Sequence, residues 1–287
     1  MPELPEVETV KNDLKERIIG KKIKEVWLDQ GFKKNVFPSA SIKRKLKALT
    51  IEKVDRKAKL LIITFDQELF LLIHLKMTGQ LVFEPKRGQI VSGGHEIVGA
   101  TEVPNKFTRA ILKFSDGTNL YFNDLRKFGF MKLTDRKGLD KELEKYGMDP
   151  LEKEFDFAHF NSIMDKRPNN KIKIFLMNQK LISGIGNIYA DEICFASGIL
   201  PFRLIRDISI AERKKLFKKI KEVLKSAIGH GGTSVDTYVR VGGQTGNFQK
   251  LLKVYGREGM KCKKCTSIIK RIKLGGRSSC FCPVCQK

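Results

Sequence analysis

Three groups of residues in this chain have types and spacing that can do chemistry. The first is the leading stretch Met1-Pro2-Glu3-Leu4-Pro5-Glu6-Val7-Glu8. Removal of Met1 would expose the secondary amine of Pro2. A terminal α-amine has a reference pKa of roughly 7.7–8, against roughly 10.4 for lysine, so a useful fraction is neutral near pH 7. A neutral secondary amine can attack a carbon such as a sugar C1′ and form an iminium, the covalent logic of Schiff-base catalysis. Glu3, next door, can move protons for it. The same residues also read as a plain helix start. Pro5 presets the first turn, the acids suit the positive end of the dipole, and Val7, Val10, Leu14 and Ile18 recur at spacings of three and four.

The second group is cysteine. Cys262-x-x-Cys265 and Cys282-x-x-Cys285 are sixteen residues apart, which fits the four-thiolate structural zinc pattern. Four protein ligands leave no open position, so one Zn2+ is expected to fold a hairpin and to do no chemistry. Between the pairs, Lys270, Arg271, Lys273 and Arg277 make a basic loop suited to phosphate. Cys280 is an extra thiol, and Cys194 reads as a buried hydrophobe.

The third group lies at turns in the first half. Lys59 ends Arg56-Lys57-Ala58-Lys59, before the apolar run 60–65. His74-Leu75-Lys76-Met77-Thr78-Gly79 runs from an apolar strand into a turn, and Asn123-Asp124-Leu125-Arg126-Lys127-Phe128-Gly129 does the same. Lysines at strand ends usually cap a solvated edge, a lone His is usually structural, and Met77 and Phe128 would ordinarily be core. Yet both lie beside Lys76, Arg126 and Lys127. Apolar wedges among cations are what a protein needs to open a base step while holding phosphates.

The whole chain points to the same partner. Its 287 residues suggest two domains. Lys and Arg number 56 against 32 Asp and Glu, a net charge of +24, and the pI is near 9.8. That surplus indicates a polyanion, above all nucleic acid. No stretch is long enough for a membrane span, and the start has no signal-peptide core. A cytoplasmic monomer with no membrane partner is expected. In a reducing compartment, paired cysteines read as metal ligands.

The elements that must position these groups follow a change of period. Strands are expected over 22–29, 51–56, 60–65, 69–75, 80–84, 109–114, 119–123 and 130–134, a two-layer sandwich. Residues 86–103, rich in Gly, Ser and Thr, read as a mobile loop, and 135–150 as a connection. Helices are expected over 155–164, 172–179, 188–196 and from the Ser209/Glu212 capping box to 228. Ser183-Gly184-Ile185-Gly186-Asn187 is a Gly-rich turn opening a helix, a natural phosphate seat. The glycine-rich stretch 230–247 reads as flexible.

With these residues in hand, the chain resembles the bacterial formamidopyrimidine-DNA glycosylase family, base-excision repair enzymes related to endonuclease VIII. The resemblance runs nearly end to end. It rests on Met1 to Thr9, His74-Leu75-x-Met77-Thr78-Gly79, Asp124-x-Arg126-x-Phe128-Gly129, Gly184-Ile185-Gly186-Asn187-Ile188-Tyr189-Ala190, Val254-Tyr255-Gly256-Arg257 and the cysteine pairs. It implies an α+β multidomain protein: a β-sandwich with an N-terminal helix (1–134), a linker (135–150), a helix–two-turn–helix domain (151–258) and a zinc-bound β-hairpin (259–287). It implies damaged double-stranded DNA in a cleft between domains, with the lesion flipped out. By the same resemblance, Pro2 is the nucleophile that expels an oxidised purine such as 8-oxoguanine, and Glu3 the proton shuttle. Lys59 binds phosphate and helps β-elimination, while Arg277 grips phosphate and serves δ-elimination. His74, Lys173 and Asn187 fall among further DNA contacts. Met77, Arg126 and Phe128 fill the void left by the flipped base. Three stretches depart from the family. Lys106-Phe107-Thr108-Arg109 replaces a frequent histidine pair, with Arg109 the candidate for a phosphate contact. Gly232-Thr233-Ser234-Val235-Asp236-Thr237-Tyr238 puts an acid in the damaged-base loop, and the loop 86–103 is long. A preference for oxidised pyrimidines is the alternative, as is a non-catalytic damaged-DNA binder.

Overall fold

Period-two apolar runs in the first half become strands, and period-3.6 runs in the second become helices. The structure is a computed structural model that describes residues 1–37, 40–86, 91–95, 103–233, 238–239 and 247–287. The chain opens with α1 (Leu4–Ile18), then β1 (Ile23–Leu28), β2 (Val36–Phe37), α2 (Ile42–Leu46), β3 (Ile51–Lys57), β4 (Leu60–Phe65) and β5 (Phe70–His74). There follow β6 (Gly79–Glu84), β7 (Val91–His95), β8 (Thr108–Phe114), β9 (Asn119–Asp124), β10 (Phe130–Thr134) and α3 (Arg136–Leu143). The helices α4 (Phe157–Asp165), α5 (Ile172–Leu176), α6 (Asn187–Ser197) and α7 (Ile210–Gly229) come next. The chain closes with β11 (Tyr238–Val239), α8 (Phe248–Leu251) and the hairpin β12 (Lys270–Leu274) and β13 (Arg277–Phe281). No helix among the described residues is long and apolar enough to cross a membrane.

The chain forms two compact units. One comprises Met1–Glu144 and His230–Gln249, the other Lys145–Gly229 and Lys250–Lys287. The hairpin therefore belongs to the same unit as α4 to α7, and the 230–249 segment to the unit of the sandwich.

In the first unit, one sheet runs β1-β8-β9-β6-β7-β11 and the other β2-β10-β5-β4-β3 among the described residues. Their inner faces share one core, with Phe114 and Phe122 from one sheet and Ile63 and Ile73 from the other. Helix α1 adds Val7, Val10, Leu14 and Ile18 to that core, so the head of the chain is fixed by its own apolar stripe. In the second unit α7 buries Leu216, Ile220, Leu224 and Ala227 at helical spacing.

Four features depart from the sequence reading. Val91–His95, read as loop, is a strand paired with β6 and β11; its sequence Val-Ser-Gly-Gly-His has no apolar alternation, so pairing with β6 makes it a strand. The stretch read as a connection holds α3, capped by Asp135, whose carboxylate accepts from the Gly138 N–H at 2.9 Å. Helix α5 stops at Leu176, short of the expected 179. Short β2 and α2 carried too few periods to be seen. Residues 234–237 and 240–246, including Asp236 of the damaged-base loop, lie outside the described residues.

Candidate functional site

The head of α1 is built from buried acids. Pro2 is buried, and Glu3 and Glu6 are 3% and 2% exposed. Glu6 reaches back so that the Glu3 N–H donates to its Oε2 at 2.9 Å, the returning arm of a capping box. Its other oxygen, Oε1, accepts from the Thr233 N–H at 2.8 Å and the Thr233 hydroxyl at 2.9 Å. The backbone passes so close at Gly232, where φ is +80°, that a Cβ there would lie 2.9 Å from Glu6 Oε1. Glu8 accepts from Arg56 Nε at 2.6 Å, tying α1 to β3. Burial pushes the Glu8 carboxyl up, but Arg56 and Lys11 outweigh it and hold the group low.

Lys59 sits in the turn between β3 and β4 and is buried, after Ala58 at φ 54°. The α-amine of Met1 feels it. Burial lowers the proton affinity of that amine, Glu3 and Glu6 raise it, and Lys59 lowers it again; the balance is a lowered pKa. The chain's terminal amine, two acids and one lysine thus share one electrostatic environment.

Asp124 organises the second cluster. It is fully buried and joins two turns. Its Oδ1 accepts from Thr78 Oγ1 at 2.5 Å and from the Arg126 N–H at 3.1 Å, and its Oδ2 from the Gly129 N–H at 2.8 Å. Thr78 Oγ1 accepts from the same Arg126 N–H at 3.0 Å. Asn35 braces the turn by donating to the carbonyls of Lys127 and Gly129. The turn carrying Met77 closes by a Gly79 N–H donating to the Leu75 carbonyl at 2.9 Å. A Cβ on Gly79 would come within 2.4 Å of that carbonyl oxygen, so glycine is required. Above this base Phe128 is 52% exposed, and the Arg126 guanidinium lies 4.7 Å from its ring centroid. Met77 is half-buried. The exposed ring is held by the cation beside it.

Two sequence candidates in this unit have other duties. His74 is buried, pairs in register with Leu60, and its Nδ1 accepts from the Lys76 N–H at 3.0 Å. Burial first, then Lys76 and Lys59, push its pKa down to about 3, so the ring is neutral. Arg109, expected at a phosphate, is buried. Its Nε donates to the Asp124 carbonyl at 2.9 Å and its Nη1 pairs with Asp29 at 3.5 Å. It braces the Asp124 turn from below.

The second unit carries the metal centre. The thiol sulfurs of Cys262, Cys265, Cys282 and Cys285 all lie within 4.8 Å of one another. The Cys262–Cys285 and Cys265–Cys282 separations are 3.9 and 3.5 Å. Zn–S bonds of about 2.3 Å in a tetrahedron require sulfurs about 3.8 Å apart, so the donors fit one structural zinc. Bound there, the ion is closed by four thiolates and staples the hairpin. Arg277 is exposed at the start of β13, after Gly275 and Gly276, both at positive φ. It lines a shallow groove with Arg271 and Lys273.

Asn187 begins α6 behind Gly186, and its buried side-chain oxygen has no hydrogen-bond partner among the described residues. Gln179, which the sequence reading passed over, shapes that turn. It accepts from the Gly184 N–H at 2.8 Å and donates to the Ile185 carbonyl at 2.6 Å. Glu192, also missed, accepts from the backbone N–H groups of Lys253, Val254 and Tyr255. Lys173 departs most from expectation. Its side chain is fully buried, paired with Asp191 at 2.8 Å, and its ammonium donates to the Ser278 carbonyl at 2.6 Å. That placement supports a role inside the protein and not at a phosphate.

Comparison with known proteins agrees along the whole chain. Residues 1–131 match the formamidopyrimidine-DNA glycosylase N-terminal domain, 146–239 the H2TH domain of the same protein, and 259–287 the zinc finger found in FPG and IleRS. The chain is 36% identical over its full length to the whole formamidopyrimidine-DNA glycosylase of Desulfitobacterium hafniense, and 38% identical, again over both full lengths, to that of Listeria innocua. It superposes with TM-score 0.87 and 33% identity, over both whole chains, on a mutant Lactococcus lactis FPG in complex with DNA containing Fapy-dG. The wild-type Lactococcus lactis protein bound to DNA with an oxidised pyrimidine gives 0.85 and 32%, again with full coverage of both.

Two outcomes follow from this geometry. With a folded pKa near 3 against 6.5 for the free ring, the unfolded chain gains a proton at His74 that the folded chain refuses. Stability is therefore present above about pH 6.5 and lost as pH falls toward 3, by about 1.4 kcal/mol per pH unit from this group. The urea stability of wild type minus that of His74→Gln should fall with that slope from pH 6 to 4; parallel curves would refute it. Stripping the zinc, verified by metal analysis, should unfold the hairpin and weaken DNA binding on the order of tenfold or more, because the metal supplies the hairpin's folding energy. Full affinity in the metal-free protein would contradict this.

Proposed function

Since the chain belongs to the formamidopyrimidine-DNA glycosylase family, we propose that it excises oxidised purines, 8-oxoguanine and formamidopyrimidines, through a Pro2 Schiff base and then cuts the strand by β,δ-elimination. At the coarser level it is a base-excision repair DNA glycosylase with AP lyase activity, and damaged DNA is its partner. What supports the finer reading is the head of α1: Pro2 and Glu3 are buried there, Lys59 is buried too, and the α-amine of Met1, one residue before Pro2, feels the charges of Glu3, Glu6 and Lys59.

In this reading, loss of Met1 frees the Pro2 nitrogen as a secondary amine. Its lone pair attacks C1′, the bond from C1′ to the damaged base breaks with its electron pair going to the base, and the proton lost from the Pro2 nitrogen neutralises the departing base. Glu3 delivers a proton to O4′, the C1′–O4′ bond opens, and the iminium forms between C1′ and nitrogen. The positive nitrogen acidifies the C2′ proton; its removal expels the 3′ phosphate, and a second elimination expels the 5′ phosphate. Water finally hydrolyses the iminium and restores Pro2. One nucleophile serves both activities. Lys59 and Arg277 hold phosphate, the latter on the zinc hairpin, and Asn187 contributes from the start of α6. Met77, Arg126 and Phe128 enter the stack where the lesion leaves, and the exposed Phe128 with its stacked guanidinium supports that role.

A second reading has a specific observation behind it. A relative has been crystallised with an oxidised pyrimidine in its DNA, so the lesion pocket of this chain could favour pyrimidines.

Borohydride reduction should trap wild-type, Met1-free protein on lesion-bearing duplex, and Pro2→Gly should lose the adduct together with nearly all base excision. N-terminal mass spectrometry fixes which molecules can react, since retained Met1 locks the Pro2 nitrogen in an amide. An undiminished adduct in Pro2→Gly would remove the proline from the mechanism. Single-turnover rates on 8-oxoguanine:C should exceed those on thymine glycol duplexes by on the order of tenfold; the reverse order would establish the pyrimidine reading.

A further inference from the structure

The buried pair Lys173–Asp191 is placed against one strand of the metal hairpin. Both side chains are 0% exposed and their charged atoms lie 2.8 Å apart. The Lys173 ammonium donates to the Ser278 carbonyl at 2.6 Å. Asp191 Oδ2 accepts from the Cys280 N–H at 3.0 Å. Ser278 and Cys280 are two residues apart on β13, so this carbonyl and this N–H point off the same edge of the strand. The opposite edge of β13 is taken by β12, with Ser279 in register with Ile272. The ion pair therefore occupies the place of a third strand, fixing β13 by one donor and one acceptor. Arg277 is the residue before the first of these anchor points.

We infer that Lys173 and Asp191 are positioning residues for Arg277: they lock the register and angle of β13 so that the guanidinium meets the phosphate. The inference rests on the reading of Arg277 as a phosphate-gripping residue. Three observations favour positioning over simple stabilisation. A buried ion pair is a poor stabiliser, because apolar groups of the same size often do as well or better. The two hydrogen bonds go to backbone of the strand that bears Arg277 and not to the metal ligands or to the helices' own termini. No further strand holds that edge, since β13 pairs only with β12 among the described residues.

The test uses the full-length, zinc-loaded protein and a duplex with a tetrahydrofuran abasic analogue. Lys173→Met with Asp191→Leu replaces the pair by apolar residues of similar size. This double variant should fold, keep one zinc per chain and lose roughly 10- to 100-fold in affinity, the scale of an ångström-level misplacement. Adding Arg277→Ala to it should cost little more, because residues that act through one another do not add. Wild-type affinity in the double variant, or losses that add in full with Arg277→Ala, would overturn the inference. Asp191→Asn is the second arm. It keeps an oxygen for the Cys280 N–H, so it should lower thermal stability while holding affinity within a few-fold; an affinity loss equal to that of Arg277→Ala would also overturn the inference. Unchanged affinity in Arg277→Ala alone would instead defeat the phosphate-gripping reading, a separate result.

Discussion

Buried carboxylates that accept backbone N–H groups hold the working turns of this protein. Asp124 gathers the turn bearing Arg126 and Phe128. Glu6 ties the head of α1 to Thr233, Glu192 receives three consecutive amides of 253–255, and Asp191 takes one amide of β13. Burying a charge costs several kcal/mol. Each hydrogen bond to a charged group returns about 1.5–3 kcal/mol, so two or three donors are needed to offset the burial. Glu192 shows the balance directly: burial pushes its carboxyl up while the three amides pull it down, and the net remains upward. The arrangement contributes little net stability. What it provides is a single geometry for loops that would otherwise have many.

That constraint explains why a chain with a net charge of +24 hides some of its cations. A polyanion is gripped by cations at the surface, and Arg126 and Arg277 are exposed. Arg109 and Lys173 are buried and donate to backbone carbonyls beneath those same turns. The cations therefore divide into those that reach outward and those that hold the outward ones in place. A lysine count gives only the sum of the two.

Much of this was legible from residues alone. Eight strands and the main helices followed from periodicity, because each carries several turns or pleats of apolar signal. Val91–His95 did not, since its strand character comes from β6 and not from its own residues. The zinc set followed from the spacing of four cysteines, a local signal. The roles of Arg109 and Lys173 were illegible for a different reason. Whether a cation is exposed depends on partners far away in sequence: Lys173 meets Ser278, more than a hundred residues on. Asp124 was visible as part of a motif, but its function as the joint between two turns appears only when Thr78 and Gly129 are brought to it.

The terminal amine shows why position in the chain matters for the chemistry. Lys59 has a side-chain amine in the same environment, and a lysine can form an imine. Lysine would need its proton affinity lowered by about three units to be half neutral at pH 7, whereas an α-amine starts near 8 and needs only about one. Burial and Lys59 lower the α-amine of Met1, while Glu3 and Glu6 oppose them. An α-amine therefore needs less from its surroundings than lysine does. On the proposed mechanism this favours the end of the chain over Lys59 as the nucleophile. The helix cap, the α1 stripe in the sandwich core and the Glu6 tether to Thr233 all serve to hold that end still.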